Sequence, residues 1–169
     1  MHFKADHTFT GITLEQYEQL HFDEAFQIAL CQSVKLARRL DKREDDGKHL
    51  SRIVTVGPDR DIPPAAAKVL GANRIEYAEH LEYNWGSNKG TWKTISSVMT
   101  DKVDASGTFS FKAVPGGVMR TVEGDVKVKL FGIGGVVEKF VGADIEKSYQ
   151  QAAEFTQKWI NDGKVKAAV

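Results

Sequence analysis

The stretch Val118–Val141, "VMRTVEGDVKVKLFGIGGVVEKFV", decides the fold. Its first half alternates, placing Val118, Arg120, Val122, Gly124, Val126, Val128 and Leu130 on one side, as a strand half-buried against a core must. The second half changes period. After the break Gly132-Ile133-Gly134-Gly135, the positions Val137, Val141, Ile145, Ser148, Ala152, Phe155 and Trp159 recur at helical spacing and predict one amphipathic helix reaching about Asn161. A strand and a long helix with opposing apolar faces therefore meet through a short hinge. The space between those faces is either core or pocket.

Upstream, His2 to Thr10 alternates with Phe3, Ala5, His7 and Phe9 on one side, which predicts a first strand. Thr13 with Gln16 three residues on makes a capping box for a short helix through about Leu20, and Asp23 can cap a second helix carrying Phe26, Ile28 and Leu30. Val34 to Arg43 and Leu50 to Val56 read as a hairpin around the turn Asp46-Gly47. Asp61-Ile62-Pro63-Pro64 interrupts any strand, and Ala65 to Leu70 fits a helical turn or two stopped by Gly71. From Ile75 a long strand places Tyr77, Glu79, Leu81, Tyr83 and Trp85 on one face. Thr91 to Thr100 and Ala105 to Ala113 then continue the meander into the final strand. The expected class is α+β: a curved antiparallel sheet of about six to seven strands wrapped round a long C-terminal helix, with two short helices after strand 1. Residues 1–163 are expected to form one domain, and residues 164–169 a frayed tail.

Composition narrows the function. Lysine and arginine (23) balance aspartate and glutamate (23), so no overall field concentrates nucleic acid, and none is expected as a partner. No run approaches the ~20 apolar residues of a membrane helix, so an integral membrane segment is not expected, although transient contact with a membrane surface stays open. The residues after Met1 carry no signal-like apolar run, and the lone Cys31 has no cysteine partner, which together point to the cytoplasm. Cys31 reads as a small buried hydrophobe.

No stretch of the chain carries a catalytic motif. The "GIGG" at Gly132–Gly135 lacks both the dinucleotide spacing and the lysine of a P-loop, so it reads as a hinge. His2, His7, His21, His49 and His80 are scattered without the close pairing of a zinc motif. No metal or cofactor is expected. Glu79 faces the apolar side of its strand, where an unpaired carboxylate is costly, so Arg120 or Arg38 is expected to pair with it or with an anionic head group.

The order of elements resembles the helix-grip fold of the START-like superfamily, which includes birch-pollen-allergen and polyketide-cyclase-like proteins. The phrases "FKADHTFTGITLEQYEQLHFDEAF", "YAEHLEYNWGSNKGTW" and "TVEGDVKVKLFGIGGVVEKFV" look like an uncharacterised bacterial branch of it, a domain-of-unknown-function family. That resemblance implies a hydrophobic cavity between helix and sheet, and supplies no catalytic residue. The expected lining is Phe9, Phe26 and Leu30 from the first elements and Tyr77, Glu79, Leu81 and Tyr83 from the middle strand. The late strands add Phe109, Phe111, Arg120, Val122 and Val126, and the helix Val141, Ile145, Ala152 and Phe155. Three readings stay open: a binder of a hydrophobic or amphipathic, lipid-like molecule; a small cyclase- or dehydratase-like enzyme using Glu79, His7 or a tyrosine; and a solid structural or interaction protein. The oligomeric state is not legible.

Overall fold

In the computed structural model the chain folds into a curved, open, seven-stranded antiparallel sheet ordered β1-β7-β6-β5-β4-β3-β2. The structure describes residues 1–59, 61, 64, 67, 68, 71–98, 100–129, 132 and 134–167, with the backbone alone at 134, 136–141, 143 and 144. β1 (His2–Thr10) leads into α1 (Leu14–Phe22) and α2 (Glu24–Ser33). The meander β2 (Leu36–Asp45), β3 (His49–Pro58), β4 (Tyr77–Asn84), β5 (Lys89–Ser96), β6 (Val103–Val114) and β7 (Gly117–Val128) precedes the final helix α3 (Gly134–Asn161). The architecture is the α+β helix-grip fold expected from the sequence.

Local chemistry explains the elements. Thr13 Oγ1 accepts from the Gln16 amide at 3.2 Å while Gln16 Oε1 accepts from the Thr13 amide at 3.0 Å, and Asp23 Oδ1 accepts from the Phe26 amide at 2.9 Å. Both expected caps form. Val34 does not start a strand: it caps α2, and Lys35 takes φ 57°, so β2 opens at Leu36. A bulge at Asp41 then shifts the register between Leu40 and Lys42. The shift turns Arg38 and Leu40 inward before it, and Arg43 and Asp45 after it, opposite Val56, Val54, Arg52 and Leu50. An edge strand carrying inward charges and a bulge resists pairing with another sheet. The expected helical turn at 65–70 falls largely outside the described residues, although Gly71, at φ +67°, donates its amide to the Ala67 carbonyl as a helix stop does.

Two glycines shape the floor of the sheet. A Cβ on Gly107 would sit 2.8 Å, and one on Gly124 2.4 Å, from Trp92 Cζ2, so the indole lies directly over both backbones. Phe3, opposite Gly124 on β1, packs against Trp92 with ring centroids 5.9 Å apart. The main core gathers Phe9, Tyr17, Phe22, Tyr83, Phe109 and Phe111 under α1, with Phe26 and Ile160 closing it from α2 and α3. A smaller cluster of Ala105, Val126 and Val128 lies beside Ile145.

The final helix packs along β1, β7 and α2. Its inward side holds the expected Ile145, Ala152, Phe155 and Trp159, all half-buried, and departs from expectation at Ser148. Ser148 is exposed, whereas Tyr149 is half-buried and Ala153, Thr156 and Ile160 are buried; Ala152, Phe155 and Trp159 flank that line. Thr156 can sit inside because its hydroxyl donates to the Ala152 carbonyl at 2.7 Å. Val137 and Val141 fall where side chains lie outside the described residues. In the segment expected to fray, Lys164 lies over the Trp159 ring, Val165 packs on the core and Lys166 meets Asp23 at 2.8 Å.

Ile145 is half-buried and Lys147 exposed, so the two positions test the helix phase. Ile145→Asp is expected to cost about 2–3 kcal/mol in urea unfolding and Lys147→Asp less than about 0.5 kcal/mol. Equal shifts would remove Ile145 from the sheet-facing side.

Candidate functional site

Between α3 and the inner face of the sheet, apolar walls carry a few charged and hydroxyl groups. Alternation alone puts them there: Arg38 on β2, Arg52 on β3, Tyr77 and Glu79 on β4 and Arg120 on β7 all share the side of the core residues. The helices add His21 and Tyr17 from α1 and Tyr149 from α3. Arg38 is matched by a two-pronged contact with Glu24 on α2, the Nη2–Oε2 arm being 3.0 Å. Burial, then the nearby Arg52, pulls the Arg38 guanidinium down to about 10. Arg52 reaches Glu79 at 3.5 Å through Nη2, while its Nε and Nη1 have no partner. Arg120 Nη2 lies 3.3 Å from His7 Nδ1, its Cζ lies 5.5 Å from the Phe9 ring centre and 5.6 Å from that of Tyr149, and its Nε has no partner.

These surroundings favour the neutral forms of the nearby imidazoles and phenols. Burial, followed by Arg120 and Arg52, pushes His21 well below its ordinary 6.5, and burial and Arg120 lower His7. Burial raises the hydroxyls of Tyr17 and Tyr77, and pushes Tyr149 up to about 12. The interior therefore offers protonated hydroxyls and guanidinium donors to whatever lies in it. Cys31 is buried, with its thiol raised to about 11, an inert packing group.

The expected lining divides into three sets. Phe9, Phe26, Leu81, Tyr83, Phe109, Phe111 and Val122 are buried in the main core, with Leu30 and Phe155 at its margin. Val126 and Ile145 meet in the smaller cluster, Ala152 is half-buried, and Val141 lies outside the described side chains. Tyr77, Glu79 and Arg120 form the polar set. The expected pairing of Glu79 with Arg120 or Arg38 does not occur: Arg38 has Glu24, Arg120 has His7, and Arg52 takes Glu79. Sequence reasoning missed Arg52, although the alternation Leu50, Arg52, Val54, Val56 marks it as inward in the way that Val118, Arg120, Val122 marks Arg120.

The inner residues of the central strands are incompletely covered. Tyr77, Glu79, Trp92 and Thr94 remain half-exposed although strands flank them on both sides. Shallow depressions open elsewhere on the described surface. One of about 450 Å³ lies on the outer face around Glu82, Thr91, Thr108 and Glu123; another, of about 530 Å³, runs between β1 and α3 past Lys4, Asp6, His7, Glu146, Lys147 and Gln150. Among the described residues no cluster of metal-ligating side chains forms, and no helix is long and apolar enough to cross a membrane.

A curved sheet holding a long helix above a polar-spotted apolar interior defines the helix-grip class of fold. Within that class the chain belongs to the family described as "Protein of unknown function (DUF2505)", whose model matches residues 4–160. Among solved structures it resembles TTHA0849 from Thermus thermophilus, at 12% identity and a TM-score of 0.69, covering 96% of this chain and 99% of that one. It also resembles protein Ms6760 from Mycobacterium smegmatis, at 8% identity and 0.61, covering 96% and 92%. A START superfamily protein from the same organism matches at 16% identity and 0.53, covering 95% and 97%. At such identities the likeness is one of fold. No protein of curated function matches the chain.

Proposed function

We propose that this protein binds a hydrophobic or amphipathic small molecule, lipid-like in character, between α3 and the concave sheet. The observation that carries the reading is the half-exposure of Tyr77, Glu79, Trp92 and Thr94 on the inner side of central strands. Elsewhere under the helices the interior is filled by rings, so surface left on inward residues marks room for another molecule. The walls are apolar, with few polar groups, as small-molecule sites are.

A fluorescent fatty acid should be taken up without chemical change. Thr94→Phe, which fills the inner side of β5, is expected to weaken uptake roughly tenfold, and Lys93→Phe on the outer side to leave it unchanged. Equal effects, or no uptake by folded protein, would defeat the reading. A native mass spectrum of protein purified from its own host identifies the occupant.

The electrostatic proximity of Glu79 to Tyr77 and Tyr149 favours one other reading, a cyclase- or dehydratase-like enzyme working in the same interior. Product formation abolished by Glu79→Gln with the fold intact would establish it in place of simple binding.

A further inference from the structure

Among the described residues one buried cation of the concave face has no carboxylate partner. Among the described residues Arg38 is matched by Glu24 and Arg52 by Glu79, whereas Arg120, only 5% exposed, meets no carboxylate. Its neighbours are the neutral His7, the rings of Phe9 and Tyr149, and the Tyr17 hydroxyl. Arg120 Nε, together with Nε and Nη1 of Arg52, which is 4% exposed, has no hydrogen-bond partner. A buried cation without a counter-charge is a large penalty for a ligand-free fold, and replacing it with an apolar side chain of similar volume would remove that penalty. A guanidinium placed there points to an anion that completes the site. The groove between β1 and α3 has His7 in its wall, and behind that wall His7 Nδ1 lies 3.3 Å from Arg120 Nη2.

Building on the binding function proposed above, we infer that the bound amphiphile carries a single carboxylate, which enters along the groove between β1 and α3 and is held by Arg120. One unmatched positive charge suits a monoanion; a phosphate monoester, with ≈ −1.5 to −2 charge near neutrality, would overcompensate it. The planar guanidinium presents parallel N–H donors to the two oxygens of a carboxylate. Tyr149, kept protonated by burial, lies against Arg120 with a hydroxyl able to donate. The apolar tail then extends over Phe3 and Trp92, whose indole covers the glycine floor of the sheet.

The full chain is titrated with dansylaminoundecanoic acid and with its methyl ester, which shares the tail and lacks the charge. Wild-type protein should bind the acid more tightly than the ester. Arg120→Met should weaken the acid roughly tenfold to a hundredfold and the ester far less, since only the acid loses a hydrogen bond between two charged groups. The ligand-free Arg120→Met protein should also melt at a higher temperature than wild type, and the acid should no longer raise that temperature. If Arg120→Met does not fold, Arg120→Lys, which keeps the charge without the planar fork, should still lose affinity for the acid selectively. Acid and ester bound equally by wild type, or weakened equally by the substitution, would overturn the carboxylate inference while binding itself stands. Uptake of neither probe would defeat the binding function. Displacement of the acid probe by lysophosphatidic acid but not by palmitic acid would assign a phosphate head and overturn the inference.

Discussion

Phe111→Ala is expected to destabilise the protein by about 3–5 kcal/mol, read as a fall in the urea midpoint at unchanged slope. Phe111 is buried on β6, where its ring meets Tyr17 at 5.1 Å and His21 at 4.9 Å edge-on, and Phe109 at 5.6 Å. Those contacts join α1 to the sheet. Truncation therefore removes both the transfer energy of a large ring and the surface on which the helix rests, and the surrounding rings are too tightly interlocked to collapse into the gap. Phe155→Ala, at the half-buried margin, should cost less, because solvent and the neighbouring Trp159 can fill part of the space. Equal losses would mean that the stabilising core lies along α3 instead of under α1.

Acidification from about pH 7 to about pH 5 should weaken the fold through His21, at a slope approaching 1.4 kcal/mol per pH unit for each proton withheld. The folded value of His21 lies well below 6.5, so the unfolded chain takes up a proton that the folded chain refuses. Its contribution is therefore present above pH 6.5 and is lost progressively as the pH falls below it. His7 acts in the same direction. His49 is raised by Asn84 and Glu82 and acts in the opposite direction, but at an exposed site where water screens it. Asp23, Asp45 and Asp46 are lowered from 3.8, and their contributions disappear only below that value, leaving the window above it to the histidines. His21→Phe, an apolar ring in an aromatic cluster, should flatten the pH dependence of the melting temperature. An unchanged slope would mean that His21 is protonated in the fold.

The element order was legible because period-two and helical spacings are written plainly in β1, β4, β7 and α3, and because Thr13 and Asp23 announce their helices. What escaped was what alternation cannot express. The bulge at Asp41 resets the inward set of β2 partway along, so Arg43 and Asp45 turn toward the interior against the pattern begun by Arg38 and Leu40. On α3, Thr156 looks polar in the sequence yet is buried, because it satisfies its hydroxyl on the helix's own backbone; leaving it out moved the predicted stripe round to Ser148. In the site, inward residues could be named but not their partners. Glu79 lies between several arginines, and only the three-dimensional register shows that Arg52 reaches it while Arg120 goes to His7.

The neighbour of β1 in the sheet is β7, with His2 opposite Asp125 and Thr10 opposite Gly117. On the ribosome this makes the earliest strand the one that waits longest: at about 5–20 residues per second, its partner follows it by roughly 5–25 s. Through that interval β2 to β6 can zip as consecutive hairpins, while Phe3 and Phe9 have no mate and stay open to chaperones. Nascent chains arrested at increasing lengths should show β1 protected from protease only once β7 has cleared the exit tunnel. Protection before that point would mean that β1 first docks on α1 and α2 and is handed to the sheet afterwards.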